Sequence, residues 1–221
     1  MSKIGSPANV DATEADAPST DATSPDWRRE LPHLEGRRIT LREPRAADAP
    51  ALFALLSTDD VSRFISPPPA TVEGFERYIT WCQRQRAAGQ YVCFAIVRRG
   101  EDMPIGLIHV RALGPAFGTA DWGFALGSEF WGSGIFAEAA ELVLDFAFDV
   151  LGTHRLEARA ALCNGRGNGA LKKVGAEREG ILRHAFFRNG DYVDQVLWSI
   201  LHDDWKKRQQ EKATWGSAVV H

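Results

Sequence analysis

Residues 119–151 read TADWGFALGSEFWGSGIFAEAAELVLDFAFDVL. The apolar run Trp122–Leu126 predicts a strand, Gly127–Gly134 a glycine-rich turn, and Ile135–Leu151 a long helix. In that helix Ile135, Ala139, Leu142, Val143, Phe146 and Val150 share one face at helical spacing, and Glu138, Glu141, Asp145 and Asp149 recur on the other. Gly152 is its stop. Trp131-Gly132-Ser133-Gly134 leaves backbone N–H groups free at the helix N-terminus, where the positive end of the helix dipole also lies; the two together suit a phosphate. The glycines let a bulky anion come close to the backbone. A phosphate-bearing ligand at Gly132–Phe136 is therefore expected. The plain alternative is a tight connection that binds nothing, and the rest of the chain has to decide between them.

Working outward, Arg37–Arg42 alternates as a first strand, and Ala47–Leu56 reads as a short helix with Asp48 and Pro50 near its start. Pro67-Pro68-Pro69 rules out regular helix over Phe64–Thr71. Val72–Ala88 returns to helical spacing, with Phe75, Tyr78, Ile79 and Cys82 apolar. Tyr91–Val97 and Ile105–Ala112 form a hairpin, and Thr119–Leu126 follows as a third strand of an antiparallel meander. After the long helix, His154–Ala161 alternates again; the crossover is long enough to make it a parallel neighbour of Thr119–Leu126. Asn164–Gly175 is a glycine-rich loop passing into a short helix. Ile181–Arg188 and Tyr192–Leu201 pair around Arg188-Asn189-Gly190-Asp191, and Asp203–Lys212 is a terminal helix. The fold class is mixed α/β: a mostly antiparallel twisted sheet with a central splayed parallel strand pair and helices on both faces. Parallel strands whose ends diverge leave a cleft for a ligand.

Size and composition bound the function. The chain has 221 residues and a net charge of −3, enough for one ordinary domain and without the basic surplus that nucleic-acid binding calls for. Residues 1–26, rich in Ala, Ser, Thr, Pro and Asp, are expected to be a disordered tail; 27–213 form the domain, and 214–221 a flexible end. No stretch is long and apolar enough for a membrane span and no signal-peptide core opens the chain, so a cytoplasmic protein with no membrane partner is expected. Cys82, Cys93 and Cys163 lack C-x-x-C spacing, which excludes a disulfide framework and a cysteine zinc site. His33, His109, His154, His184, His202 and His221 show no metal-ligand spacing, so no metal is expected.

Three competing chemistries fail on context. Gly132-x-Gly134-x-x-Ala137 with Glu157 downstream fits a dinucleotide fingerprint, but it follows three hairpin-type strands instead of opening a repeating βαβ series. Gly165–Lys173 lacks the G-K-[ST] end of a P-loop, and no G-x-S-x-G elbow is present. Cys163 beside Asn164 fits a packed thiol better than a nucleophile.

The ordered features resemble one family. Asp121–Ala140 with its W-G-x-G turn is similar to the acyl-CoA-binding motif of the GNAT acyltransferases, and N-G-R-G-N-G-A-L-K-K-V-G-A at Asn164–Ala176 resembles that family's second hallmark. Gly180–Arg183 and Asp194-x-x-x-Trp198 resemble the closing hairpin of its RimJ/RimL branch. The resemblance spans Arg37–Trp205. It implies acetyl-CoA as donor and an amine acceptor, either a ribosomal or other protein N-terminus or a small-molecule amine. The amides of Trp131, Gly132, Ser133, Gly134, Ile135 and Phe136 would hold the CoA pyrophosphate. The backbone of Phe124, Ala125 and Leu126 would pair with the pantetheine arm, which Asn164 would also touch, and Lys173 would lie near the nucleotide end. Gly167 stands where the family often has Ser, Ala176 where it has Phe, and no tyrosine lies near Leu171, so the proton donor cannot be carried over. It leaves homodimerisation through the C-terminal strands open.

The expected chemistry is direct attack of an amine on the thioester within a ternary complex. An ammonium must first lose a proton. Asp121 is the first candidate base, with an ion-paired strand carboxylate as the plain alternative, and Glu157 is the second. A thiol of pKa ~8.5 is a tolerable leaving group, and Tyr192 and His184 are candidate acids. A sensor that binds acyl-CoA without turnover is the non-enzymatic alternative, and a dinucleotide-binding oxidoreductase the other.

Overall fold

The computed structural model describes residues 26–188 and 190–218. The expected disorder of residues 1–26 falls almost wholly outside them. One sheet runs through the molecule in the order β1-β2-β3-β4-β5-β6-β8-β7. Its strands are β1 (Leu34–Glu35), β2 (Ile39–Arg42), β3 (Tyr91–Arg98), β4 (Pro104–Ala112), β5 (Thr119–Leu126), β6 (Arg155–Ala161), β7 (Glu177–Arg188) and β8 (Asp191–Leu201). All neighbours pair antiparallel except β5 and β6. The helices are α1 (Ala49–Leu56), α2 (Asp59–Ser62), α3 (Val72–Ala87), α4 (Ile135–Asp149), α5 (Gly165–Lys173) and α6 (His202–Ala218).

β3 is buried on both faces over Tyr91–Val97, which is why it reads as a continuous apolar run rather than an alternation. Val92, Phe94 and Ile96 pack toward α4, while Tyr91, Cys93, Ala95 and Val97 pack against α1 and α3. The two layers of apolar side chains make a three-layer molecule, helix–sheet–helix. α3 starts at Thr71, whose hydroxyl accepts from the Gly74 amide at 3.0 Å.

Three expectations change. The short helix α2 was not read from the sequence. α4 buries Leu144, Ala147 and Phe148 as well as Ile135, Ala139, Val143 and Phe146 of the expected stripe, because α6 covers its outer side: Trp205 Nε1 donates to Asp145 at 2.8 Å and Lys206 pairs with Asp149; Leu142 is half-buried and Val150 exposed. α6 extends to Ala218, past the expected end of the terminal helix at Lys212; 219–221 lie outside the described residues.

Candidate active site

β5 and β6 share only three register pairs, Thr119↔Arg155, Ala120↔Leu156 and Asp121↔Glu157. Beyond them β5 continues to Leu126 along β4, and β6 continues to Ala161 along β8. The inner edges of Trp122–Leu126 and Ala158–Ala161 thus face one another with no ladder between them. Unpaired main-chain groups on facing edges are an unsatisfied sheet position, and an extended chain with amide groups can take it.

The wedge opens onto the turn before α4. Gly132 and Gly134 have φ of 76° and 81°, left-handed values that a side chain would strain. Ser133 Oγ donates to the Phe130 carbonyl at 2.6 Å and accepts from the Ile135 amide at 3.3 Å. The Trp131 amide donates to the Ser128 carbonyl at 3.2 Å. From Trp131 to Ala137 the amides left without an acceptor among the described residues are therefore those of Gly132, Ser133, Gly134, Phe136 and Ala137. That corrects the expected set, in which Trp131 and Ile135 were donors and Ala137 was not. At the wedge floor the Leu126 carbonyl accepts from Trp131 Nε1 at 2.9 Å, so it too is already engaged. Phe136 packs on Phe124 with ring centroids 4.0 Å apart and stacks on Trp122, which fixes the first turn of α4 against β5.

Arg38, which the sequence did not single out, braces this turn. Its amide and Nε donate to the Glu138 carboxylate at 2.8 Å each, and Nη1 donates to the Ser133 carbonyl at 2.8 Å. Burial pushes the Glu138 carboxyl up, but the hydrogen bonds and charge of Arg38 outweigh it and hold Glu138 below the usual carboxylate range.

The other lip is α5. Asn164 caps it, its Oδ1 accepting from the Gly167 amide at 2.8 Å. At Gly167, where the resemblance has Ser, a Cβ would lie 2.5 Å from Asn164 Nδ2, so a side chain there requires the Asn164 cap to shift. Asn168 Nδ2 donates to the Ala161 and Asn164 carbonyls, and its Oδ1 accepts from Trp198 Nε1, tying α5 to the ends of β6 and β8. The Arg166 guanidinium lies 4.0 Å over the Trp131 ring, spanning the wedge mouth. Lys173 is exposed at the far end of α5, about 10 Å along the axis from Arg166.

On the face toward α3, Asp121 and Glu157 sit side by side in register. Asp121 holds Arg111 through two hydrogen bonds of 2.9 and 2.5 Å, and Glu157 accepts from Arg155 at 3.0 Å with Arg159 3.7 Å away. Arg155 also grips Glu179, which Arg155 and Ser199 together hold down to about 2. Tyr192 does not join this group. It is exposed at the hairpin end, seven residues along β8 from Ser199, the partner of Glu157, or roughly 23 Å at strand rise.

The β7–β8 hairpin bends over the same face. Its register breaks between Leu182 and Phe186, where His184 adopts φ 51° and its amide donates to Asp194 Oδ1 at 2.9 Å. Past the bend, Arg188 Nη2 donates to the Ser62 carbonyl of α2 at 2.8 Å. A separate groove of about 650 Å³ lies between α5 and β8, lined by Leu162, Asn168, Lys172, Arg178 and Trp198. Among the described residues no cluster of His, Cys, Asp and Glu could hold a metal, and no helix is long and apolar enough to cross a membrane.

Comparison with known proteins agrees with this architecture. The model of the acetyltransferase (GNAT) domain matches residues 38–177. The uncharacterized N-acetyltransferase YoaA of Bacillus subtilis is 32% identical over 77% of this chain and 97% of its own length. The putative ribosomal N-acetyltransferase YdaF of the same organism is 29% identical over 76% of this chain and 92% of its own length. The structure of Mycobacterium smegmatis RimJ in complex with CoA-disulfide superposes with a TM-score of 0.68 over 75% of this chain and 83% of that one, at 23% identity, which is a likeness of fold. The dinucleotide-binding alternative is thereby overturned: a doubly wound parallel sheet is absent among the described residues, and the family is a different one. The chain belongs to the GNAT acetyltransferase family and is an N-acetyltransferase.

Proposed function

We propose that the chain transfers an acetyl group from acetyl-CoA to a primary amine by direct attack in a ternary complex. The observation that carries this reading is the open β5–β6 wedge, which ends at five acceptor-less amides at the start of α4. The amides of Gly132, Ser133, Gly134, Phe136 and Ala137, with the helix dipole, would hold the diphosphate. The free edge at Phe124 and Ala125 would pair with the amides of the pantetheine arm, and Asn164 Nδ2 would reach it from the other lip. Backbone amides of the β5 edge would polarise the thioester carbonyl.

The acceptor approaches on the α3 face. There Asp121 is paired with Arg111, and Glu157 and Glu179 share Arg155 with Arg159 3.7 Å from Glu157; three carboxylates face three arginines, so the face offers a polycation no surplus negative charge. A single amine on an extended chain, a protein N-terminus, fits it better than a polyamine does. The name of YdaF, a putative ribosomal N-acetyltransferase, points the same way.

Calorimetric titration with acetyl-CoA, with NAD and ATP in parallel, tests the reading. Micromolar binding of acetyl-CoA alone is expected, lost in Gly134→Glu, where a carboxylate would stand among the amides. Binding of NAD instead, or of none, contradicts it. Binding without transfer to any amine would make the chain a sensor.

A further inference from the structure

Resting on the acetyl-transfer reading above, we propose that His109 is the group that takes the proton from the attacking amine. Of the six histidines the sequence analysis singled out His184 alone, as a candidate acid; the fold separates His109 from the rest.

His109 lies on β4 directly opposite Gly123 of β5. Gly123 stands two positions past Asp121, the last residue of β5 paired with β6, and so on the free edge of the wedge. The imidazole occupies the space that a side chain at 123 would fill: a Cβ there would be 2.8 Å from Cε1 and 3.1 Å from Nε2. The Cε1–Nε2 edge of the ring therefore overlies the β5 backbone on the α3 face, the face from which the acceptor approaches. Tyr91 of β3 stacks on the ring at 5.1 Å and 23°, Trp81 of α3 packs on Tyr91 at 5.0 Å, and the Tyr91 and Tyr78 hydroxyls lie 2.9 Å apart. The ring is held in place by packing, and among the described residues neither of its nitrogens has a hydrogen-bond partner.

The two carboxylates nearby are committed. Both oxygens of Asp121 accept from Arg111, and both oxygens of Glu157 face Arg155 or Arg159. A base must have a lone pair within reach of the proton it removes; the carboxylates are each held by an arginine, whereas His109 has one beside the free β5 edge with no arginine bonded to it. The charged groups facing it are Asp121, which favours the imidazolium, and Arg111, which opposes it. Burial is the largest influence and holds the ring down to about 4, so it is neutral across the physiological range; it is too weak a base to strip a free ammonium and accepts the proton only as the C–N bond forms. Tyr78 and Tyr91, pushed up by burial, stay as neutral phenols.

In the step, the ammonium first loses one proton to water. The freed nitrogen lone pair forms the C–N bond to the thioester carbonyl carbon, and as that bond forms the nitrogen becomes acidic and passes a second proton to His109. The C–S bond breaks, and the imidazolium gives its proton to the departing sulfur to make the free thiol. One proton is released per amide formed, and nothing is oxidised or reduced.

The test is His109→Gln, which keeps a polar side chain of similar reach that cannot carry a proton. Acetyl-CoA affinity is read by calorimetry, and turnover with a peptide bearing a free alanine N-terminus and with spermidine is followed from pH 6 to 10. The expected result is acetyl-CoA affinity within twofold of wild type, kcat at pH 7 down at least 30-fold, and recovery as pH rises. Gly123→Ala, which puts a methyl group where the ring lies, should reproduce the pattern with His109 intact, and it carries the test should His109→Gln fail to fold. Wild-type kcat and pH profile in either folded variant overturn the proposal. Loss of acetyl-CoA binding or of all turnover in the wild type would instead overturn the reading beneath it.

Discussion

A neutral histidine beneath an aromatic stack has a cost in stability that can be measured. The unfolded ring titrates near 6.5 and the folded ring near about 4. Its folded pKa is depressed, so its contribution is present above pH 6.5 and is lost as pH falls toward 4, where the unfolded chain binds the extra proton. At ~1.4 kcal/mol per unit the shift corresponds to up to ~3 kcal/mol. Chemical denaturation of wild type should show this loss between pH 6.5 and 4, and His109→Gln should flatten that part of the curve; parallel curves would show that the ring is not held neutral. At the same scale the site was partly legible in the chain. Gly132 and Gly134 were readable because only glycine serves a left-handed turn before a helix. Asp121 and Glu157 were placed on adjacent strands; Arg111, which binds Asp121 from the neighbouring strand, leaves no mark in local spacing, whereas Arg155, two residues before Glu157 on the same strand, was there to be read. His109 was invisible for the same reason as Arg111: what distinguishes it is a glycine fourteen residues away in the chain and opposite it in register.

Among the elements, those whose local pattern agrees with their burial were read closely. β5 was placed at Thr119–Leu126, as observed, and α4 was overrun only at its C-terminal end. The misses lie where tertiary contacts decide. α2 is a four-residue turn of helix with too little sequence to carry a period. The hairpin was foreseen, but its bend was not, because a non-glycine residue with positive φ is held there by a side chain ten residues on: Asp194 accepts from the His184 amide. This bend carries the distal hairpin to α2 over the acceptor face. Asp194→Ala removes the acceptor and should loosen the hairpin, raising KM for the amine severalfold while leaving acetyl-CoA affinity unchanged. Steady-state kinetics with each substrate varied in turn would check this; an equal effect on both substrates would mean that the hairpin is part of the general scaffold.

Over the whole molecule, one sheet interrupted at one seam accounts for both halves of the chemistry. Pairing of β5 with β6 at three positions closes one end, and their divergence opens the other. The α4 side of the seam leads to the free amides, while the α3 side presents His109, Asp121 and Glu157. The fold class was legible in the sequence because hairpins, a long crossover helix and a final hairpin admit few sheet orders. The acceptor face was not, because it is assembled from β4, β5, β6, α3 and the hairpin, whose relative placement no local pattern encodes. The central claim is that the seam itself takes the acyl donor. Amide hydrogen exchange with and without acetyl-CoA tests it most directly. Slowed exchange at Gly132–Ala137 together with Phe124–Ala125 is predicted, whereas protection confined to the groove between α5 and β8, or none at either segment, would contradict it.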